Sequence, residues 1–141
     1  MDTKKLTATC FSILLCSSCS AYDFKNASEA TLFKNYALSS CVASNYEKSS
    51  VYQDAIDALN GNREYGNISL DAYHEINDAL NKWSKKEYIS KAGNVSEFFM
   101  CIDFQNSKDV MEIYKKYDPC KNSESWSSKK EYELRCKNTS K

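Results

Sequence analysis

The sequence predicts a single all-α domain, a compact bundle of about five helices stapled by disulfides and followed by a short polar C-terminal extension. Its 141 residues suffice for one domain and would be cramped as two. One proline and three glycines are too few for the frequent turns of an all-β fold. Over most of the chain, apolar residues instead recur at steps of three and four, which is the spacing of helices with one buried face.

The first 21 residues are typical of a secretory signal peptide. Two lysines precede an apolar run over residues 6–15, which is too short to span a bilayer, and small residues follow it. We therefore expect export and cleavage before Tyr22. Cys19 also fits a weak lipoprotein box, so a protein anchored by a lipid on Cys19 is the alternative to an unanchored one. No later segment is apolar enough to predict a membrane span.

Two helices are predicted in the first half of the exported chain. Ser28 is expected to cap a helix that ends near Lys48, and a second helix begins at Val51. Gly61 and Gly66 punctuate the segment that follows, so residues 60–67 are either a frayed helix end or a loop.

Three more helices are predicted after this segment. Ser69 is expected to cap the third, which has the clearest amphipathic stripe in the chain. That stripe consists of Tyr73, Ile76, Leu80 and Trp83. Gly93 interrupts the pattern, and a fourth helix then begins after Ser96, with an inner side formed by Phe98, Phe99 and Ile102. A last helix ends before Pro119, since proline cannot continue it.

Four cysteines lie beyond the predicted cleavage site, and they predict two disulfides in an oxidising compartment. Four cysteines allow three pairings. Cys41 and Cys101 lie on the apolar sides of two predicted helices, whereas Cys120 and Cys136 bracket the extension, so the economical pairing is 41–101 with 120–136. Trp126 and Tyr132 are expected to pack the extension together with its disulfide. No Cys-x-x-Cys spacing occurs among the four, and no metal site is predicted.

The sequence contains no recognisable set of catalytic residues. His74 is the sole histidine, and neither a nucleophile nor a metal ligand is placed to work with it, so we expect a structural or surface histidine. A formal charge of zero gives no support to nucleic-acid binding. We therefore predict neither an enzyme nor a cofactor, and the simplest function is that of an exported binding protein.

Four short segments of the body carry a recognisable pattern. They are residues 35–43, residues 54–55 with 64–66, residues 88–93 and residues 100–104. In this order they resemble the type VI secretion amidase immunity proteins. The resemblance implies an all-helical periplasmic protein, often dimeric, that binds a peptidoglycan-cleaving cysteine amidase delivered by neighbouring cells and occludes its active site. It also implies a disulfide between Cys41 and Cys101. The extension departs from the family pattern.

Inhibition of such an enzyme requires a rigid element that projects into its cleft. Our candidate is the Gly-flanked stretch of Asn62, Arg63, Glu64 and Tyr65, and the turn over residues 91–94 is the second. The alternative for the first stretch is that Tyr65 packs inward and the stretch only links two helices.

These predictions divide the chain into a signal peptide over residues 1–21, a helical immunity-like domain over 22–117, and a disulfide-bracketed extension over 118–141. The leading function is inhibition of a secreted amidase in the periplasm, and a homodimer is a further expectation. The competing function is that of a small envelope protein or lipoprotein with a scaffolding or ligand-carrying role. A large dry internal cavity would favour a carrier, whereas a rigid bundle with a projecting loop would favour an inhibitor.

Overall fold

The computed structural model describes residues 24–137, so the predicted signal peptide and Cys19 lie outside the described residues. Five longer helices form the body: α1 Glu29–Asn45, α2 Val51–Tyr65, α3 Leu70–Trp83, α4 Glu97–Gln105 and α5 Lys108–Tyr117. A single 3-10 turn, Phe24–Asn26, precedes them. Between residues 24 and 137 there is no β-strand, and one isolated antiparallel bridge joins Ile89 to Val95. The prediction of an all-α bundle is confirmed.

α1 is the central helix, and the other four helices of the body all contact it. Ser28 caps it as predicted: its backbone is extended, and its hydroxyl oxygen accepts a hydrogen bond from the Thr31 N–H at 3.2 Å. Such a cap satisfies one of the amide donors that the first turn of a helix leaves without an intrahelical partner.

The core is an apolar cluster built mainly from α1, α3, α4 and α5. Aromatic rings meet at its centre: the Tyr73 ring lies 4.3 Å from that of Tyr36 and 6.0 Å from that of Phe33, and Tyr114 lies 5.9 Å from Phe33. Tilted pairs at these distances suit the quadrupoles of the rings. The stripe predicted on α3 is confirmed, because Tyr73, Ile76 and Leu80 are buried and Trp83 is half-buried.

Both predicted disulfides are present. Cys41 and Cys101 join α1 to α4 with their Cα atoms 5.5 Å apart, and both side chains are fully buried. Cys120 and Cys136 join the two ends of the extension with their Cα atoms 5.4 Å apart, and both are half-buried. One disulfide therefore lies inside the core, and the other lies near the surface.

The predicted inner side of α4 is wrong for two of its three residues. Phe98 and Phe99 are 50% and 61% exposed, whereas Ile102 is half-buried. The buried residues of α4 are Met100, Cys101 and Phe104. Met100, Cys101 and Phe104 define the buried face of α4, and at 3.6 residues per turn Phe98 and Phe99 lie about 110° and about 150° around the helix from the middle of that face.

The extension after α5 consists of short turns. They are the 3-10 turns Pro119–Lys121 and Ser123–Ser125, the one-turn helix α6 Lys129–Tyr132 and the π-helical turn Glu133–Lys137. Trp126 and Tyr132 pack here as predicted: the buried Trp126 donates its indole N–H to the Pro119 carbonyl at 3.0 Å, and the Tyr132 hydroxyl donates to the Cys120 carbonyl at 3.2 Å.

The extension also contacts the beginning of α1, and no pattern in the sequence predicts this contact. Arg135 is buried, and its guanidinium donates to the carbonyl oxygens of Phe24 at 3.1 Å and Ala27 at 3.0 Å. Its Nε lies 3.8 Å from Oε1 of Glu29, which is also buried. Burial raises the pKa of the Glu29 carboxyl, although the Asn67 N–H and Arg135 act in the opposite direction.

Candidate functional site

The stretch first predicted to contact a partner is not a projecting loop. Residues 62–65 form the last turn of α2, which continues through Gly61 to Tyr65. Asn62 is only 2% exposed, and its side-chain amide donates to the Ala58 carbonyl at 2.7 Å. Asn62 is therefore part of the packed interior.

Of the other three residues in this stretch, two are exposed to solvent and one packs against neighbouring side chains. Arg63 and Glu64 are exposed. The Tyr65 ring stacks on Phe24 at 6.2 Å and lies 6.0 Å from the Arg135 guanidinium, so it belongs to the joint between body and extension. The surface that this stretch offers is thus reduced to two charged side chains and one face of a tyrosine.

The second predicted turn is part of a short hairpin over residues 88–96, here called the hairpin. Its base is closed by the bridge between Ile89 and Val95 and by a hydrogen bond from the Ser96 N–H to the Tyr88 carbonyl at 2.8 Å. Its turn is closed by the Gly93 N–H, which donates to the Ser90 carbonyl at 2.9 Å. Gly93 has φ +81°, a conformation that side chains with a Cβ rarely adopt, so glycine is required in this turn.

Exposed apolar side chains gather beside the hairpin. Ile89 and Val95 are 63% and 70% exposed, and Phe98 and Phe99 follow at the start of α4. We call these four residues the hairpin patch. Other large apolar side chains exposed in the described chain are Val51, Tyr52, Tyr65 and Leu70, which lie at the ends of α2 and at the start of α3. Neighbouring exposed apolar groups of this kind mark interaction surfaces, whereas single ones are common on any protein.

A groove of about 290 Å³ runs between the hairpin and α4. Its lining consists of Tyr88, Ile89, Ser90, Ser96, Phe99 and Asp103. Partial burial and the Asp103 carboxylate raise the pKa of the Tyr88 hydroxyl, so this hydroxyl stays protonated at neutral pH. The groove combines apolar and polar side chains, and it shares Ile89 and Phe99 with the hairpin patch.

A second groove, of about 470 Å³, lies between α3 and α5 and has a different character. Its lining is mostly charged, with Glu75, Asp78, Lys82, Asp109, Glu112 and Lys116. Hydrogen bonds from Lys116 at 2.5 Å and from the Tyr117 hydroxyl at 2.7 Å lower the pKa of Glu75. This open, charged groove is unlike the dry apolar cavity that a carrier of apolar ligands requires.

The described residues offer no arrangement for catalysis by a bound metal. His74 is exposed on α3, and no group of three histidine, cysteine, aspartate or glutamate side chains between residues 24 and 137 is placed to hold a metal ion. No helix in the same part of the chain is both long and apolar enough to cross a membrane.

Known proteins resemble this chain both in sequence and in fold. The family model of the type VI secretion system amidase immunity protein Tai4 matches residues 31–114. A chain in the structure of the effector–immunity system Tae4/Tai4 from Salmonella typhimurium is 32% identical to this chain, with a TM-score of 0.61. The similarity covers 67% of this chain and 94% of that one. No curated protein matches the sequence. The family match ends within α5, so the extension lies beyond it.

Proposed function

This chain belongs to the type VI secretion amidase immunity proteins, and we propose that it inhibits its cognate amidase effector by covering the effector's active site with the hairpin and the hairpin patch. The chain itself is an inhibitor and not an enzyme. The contact surface is our proposal, and the observation that carries it is an exposed turn, closed by backbone hydrogen bonds and bordered by two phenylalanines that lie outside the core.

The hairpin patch supplies the contact area that such an inhibitor needs. Phe98 and Phe99 hold half or more of their surface open to solvent. Covering both exposed ring surfaces contributes about 2 kcal/mol to binding, and aromatic side chains dominate the energy of many interfaces. Ile89 and Val95 extend the same apolar surface to the base of the hairpin.

The hairpin is organised before the partner arrives. Its base and its turn are closed by backbone hydrogen bonds, and the Ser90 hydroxyl accepts a further bond from the Asn94 N–H at 3.2 Å. A preformed turn loses little conformational freedom on binding, which keeps the entropic cost of association low. This is the property required of an element that enters an enzyme cleft.

We also propose that the protein acts in the periplasm. Two disulfides suit an oxidising compartment, and residues 1–21 read as an export signal. A lipid anchor on Cys19 stays the alternative, and the mass of the mature protein isolated from cell envelopes distinguishes the two. The predicted homodimer stays a proposal as well, which gel filtration with mass detection tests on residues 22–141.

The test of inhibition mixes residues 22–141 with the protein encoded by the adjacent gene and measures complex mass and cell-wall hydrolysis in parallel. We expect a stable complex in which hydrolysis is lost. The double variant Phe98→Ala/Phe99→Ala should weaken binding about 30-fold, which corresponds to about 2 kcal/mol. The matched control Val51→Ala/Tyr52→Ala removes two exposed apolar side chains elsewhere and should change affinity less than twofold.

Two outcomes would redirect the proposal. Undiminished inhibition by the phenylalanine variant, together with a loss in Arg63→Ala/Glu64→Ala, would move the contact to the end of α2. No complex with an active neighbouring hydrolase would rule out that enzyme as the partner and favour the envelope-protein role.

A further inference from the structure

We infer that the extension is a redox-sensitive clasp: the Cys120–Cys136 disulfide locks residues 118–137 over the start of α1, and reduction of that bond alone releases them while the body stays folded. This inference does not depend on the identity of the partner. It rests on the joint between extension and body, on the unequal exposure of the two disulfides, and on the composition of the core.

The joint between the extension and the body is largely polar. Arg135 reaches the carbonyl oxygens of Phe24 and Ala27 and faces Glu29, and the Tyr65 ring lies 6.0 Å from its guanidinium. Glu29 and Arg135 are only 1% and 4% exposed, so neither charge is well solvated.

The geometry of this ion pair is imperfect. The distance of 3.8 Å between Arg135 Nε and Glu29 Oε1 exceeds that of a hydrogen bond, and neither atom has a hydrogen-bond partner within the described residues. A buried ion pair with such geometry contributes little net stability, because desolvation offsets the attraction between the charges. The joint therefore relies on the hydrogen bonds from Arg135 to the Phe24 and Ala27 carbonyl oxygens, and the disulfide-closed ring keeps Arg135 in position to make them.

The two disulfides differ in their accessibility to a reductant. Cys41 and Cys101 are completely buried, and the Met100 sulfur lies 3.8 Å from the Cys41 sulfur. Cys120 and Cys136 are half-buried in the extension. Since an attacking thiolate must reach a disulfide sulfur, access controls the rate of exchange. The bond in the extension should therefore open first.

The body retains its core when this bond opens. Every residue of the main apolar cluster in the described chain lies between Phe33 and Tyr114, so the extension contributes none of them. The Cys41–Cys101 disulfide also lies wholly within the body. Release of the extension should thus be a local event and not a global unfolding.

The reductant is a dithiol. One of its thiolates attacks one sulfur of the Cys120–Cys136 bond, forms a mixed disulfide and displaces the other cysteine as a thiolate. The second thiol of the reductant then resolves the mixed disulfide. Two electrons and two protons pass to the protein, which gains two thiols, and the reductant becomes a disulfide. In the experiment dithiothreitol serves as the dithiol.

The test titrates the full exported chain, residues 22–141, with dithiothreitol, alkylates the free thiols and locates them by peptide mass. We expect Cys120–Cys136 to open at least tenfold faster than Cys41–Cys101. Hydrogen exchange is followed in the same samples. After selective reduction, the Trp126 and Glu131 amides should exchange at least tenfold faster, while the amides of α4 keep their protection.

A variant provides the second arm. Cys120→Ser/Cys136→Ser should show the same fast exchange in the extension without any reductant, whereas Ser123→Ala/Ser127→Ala, which changes two exposed serines and keeps the bond, should behave as the parent. Equal opening rates for the two disulfides would overturn the inference. So would unchanged exchange in the extension after selective reduction, or loss of protection in α4 together with the extension.

Discussion

The helical body and the C-terminal extension are held together by different kinds of interaction. In the body, a fully buried disulfide lies within one apolar cluster that draws on α1, α3, α4 and α5. The extension is held in place by one buried tryptophan, a half-buried disulfide and the polar contacts of Arg135. The contrast indicates that the body unfolds as a unit, whereas the extension is a separable addition whose position depends on a few bonds.

The largest effect should follow removal of the buried disulfide. Cys41→Ala/Cys101→Ala opens a loop with a sequence separation of 60 residues in the unfolded chain, and we expect the free energy of unfolding to fall by about 4 kcal/mol. Urea unfolding followed by circular dichroism measures it. The matched pair Cys120→Ala/Cys136→Ala should lower the main transition less, because its loop is shorter and lies in the extension. Equal losses for the two pairs would remove the distinction between body and extension.

The second-largest loss of stability should follow removal of the buried Arg135 cation. Arg135→Met leaves the Glu29 carboxylate buried without its partner, and we expect a loss of about 3 kcal/mol. Lys137→Met is the control, since its pair with Glu133 is exposed to solvent and its loss should change the free energy of unfolding much less. Adding Glu29→Gln to Arg135→Met should restore most of the loss. If Arg135→Met were no more harmful than Lys137→Met, the joint would not depend on this pair.

A smaller loss of stability is expected when the cap at the start of α1 is removed. Ser28→Ala removes the hydrogen bond to the Thr31 N–H, and it should lower the free energy of unfolding by about 1 kcal/mol. Ser69 occupies the equivalent position before α3 without a side-chain cap bond, so Ser69→Ala should change stability less. Chemical denaturation of the two single variants compares them. A larger loss at Ser69 would show that the hydrogen bond is not the source of the cap's stability.

The smallest expected effect is the dependence of the free energy of unfolding on pH. Because burial raises the pKa of Glu29 in the folded state above 4.5, its contribution to stability is fully present below about pH 4.5 and is lost as pH rises through the raised value. Asn67 N–H and Arg135 limit this shift, while Glu131 and Asp118 add to it. Glu75 should behave in the opposite way, since Lys116 lowers its pKa and its contribution is lost as pH falls.

Urea unfolding between pH 4 and 7 separates these two carboxylates. Glu29→Gln should flatten the decline of stability with rising pH, and Glu75→Gln should flatten the decline with falling pH. A steeper decline toward high pH in Glu29→Gln would mean that Arg135 outweighs burial at this site.

Local signals were sufficient for the order of the helices. Serines at helix starts, the proline after α5 and the stripe on α3 act over a few residues and can be read without the fold. The same signals failed at α4, which is apolar on nearly every side. Periodicity gave no direction there, and the expectation for Phe98 and Phe99 was wrong.

The proposed contact surface was only partly foreseeable. Gly93 marks the turn over residues 91–94 in the sequence, but the sequence pattern predicts a buried position for the phenylalanines beside it, which are exposed. The two glycines around residues 62–65 left a helix end and a loop as alternatives, and the structure has the helix end, since α2 continues through Gly61 to Tyr65. A glycine lowers helix stability only modestly, so packing against α1 can override it.

The sequence by itself determined the helical class and a resemblance that covers the body, and it predicted an export signal and favoured one of three disulfide pairings. Tertiary structure alone decided which side of α4 faces solvent and where Arg135 is buried, 111 positions from the Phe24 carbonyl that it binds. The reason is physical: caps, turns and periodicity depend on neighbours along the chain, whereas burial and ion pairing depend on which elements meet in space.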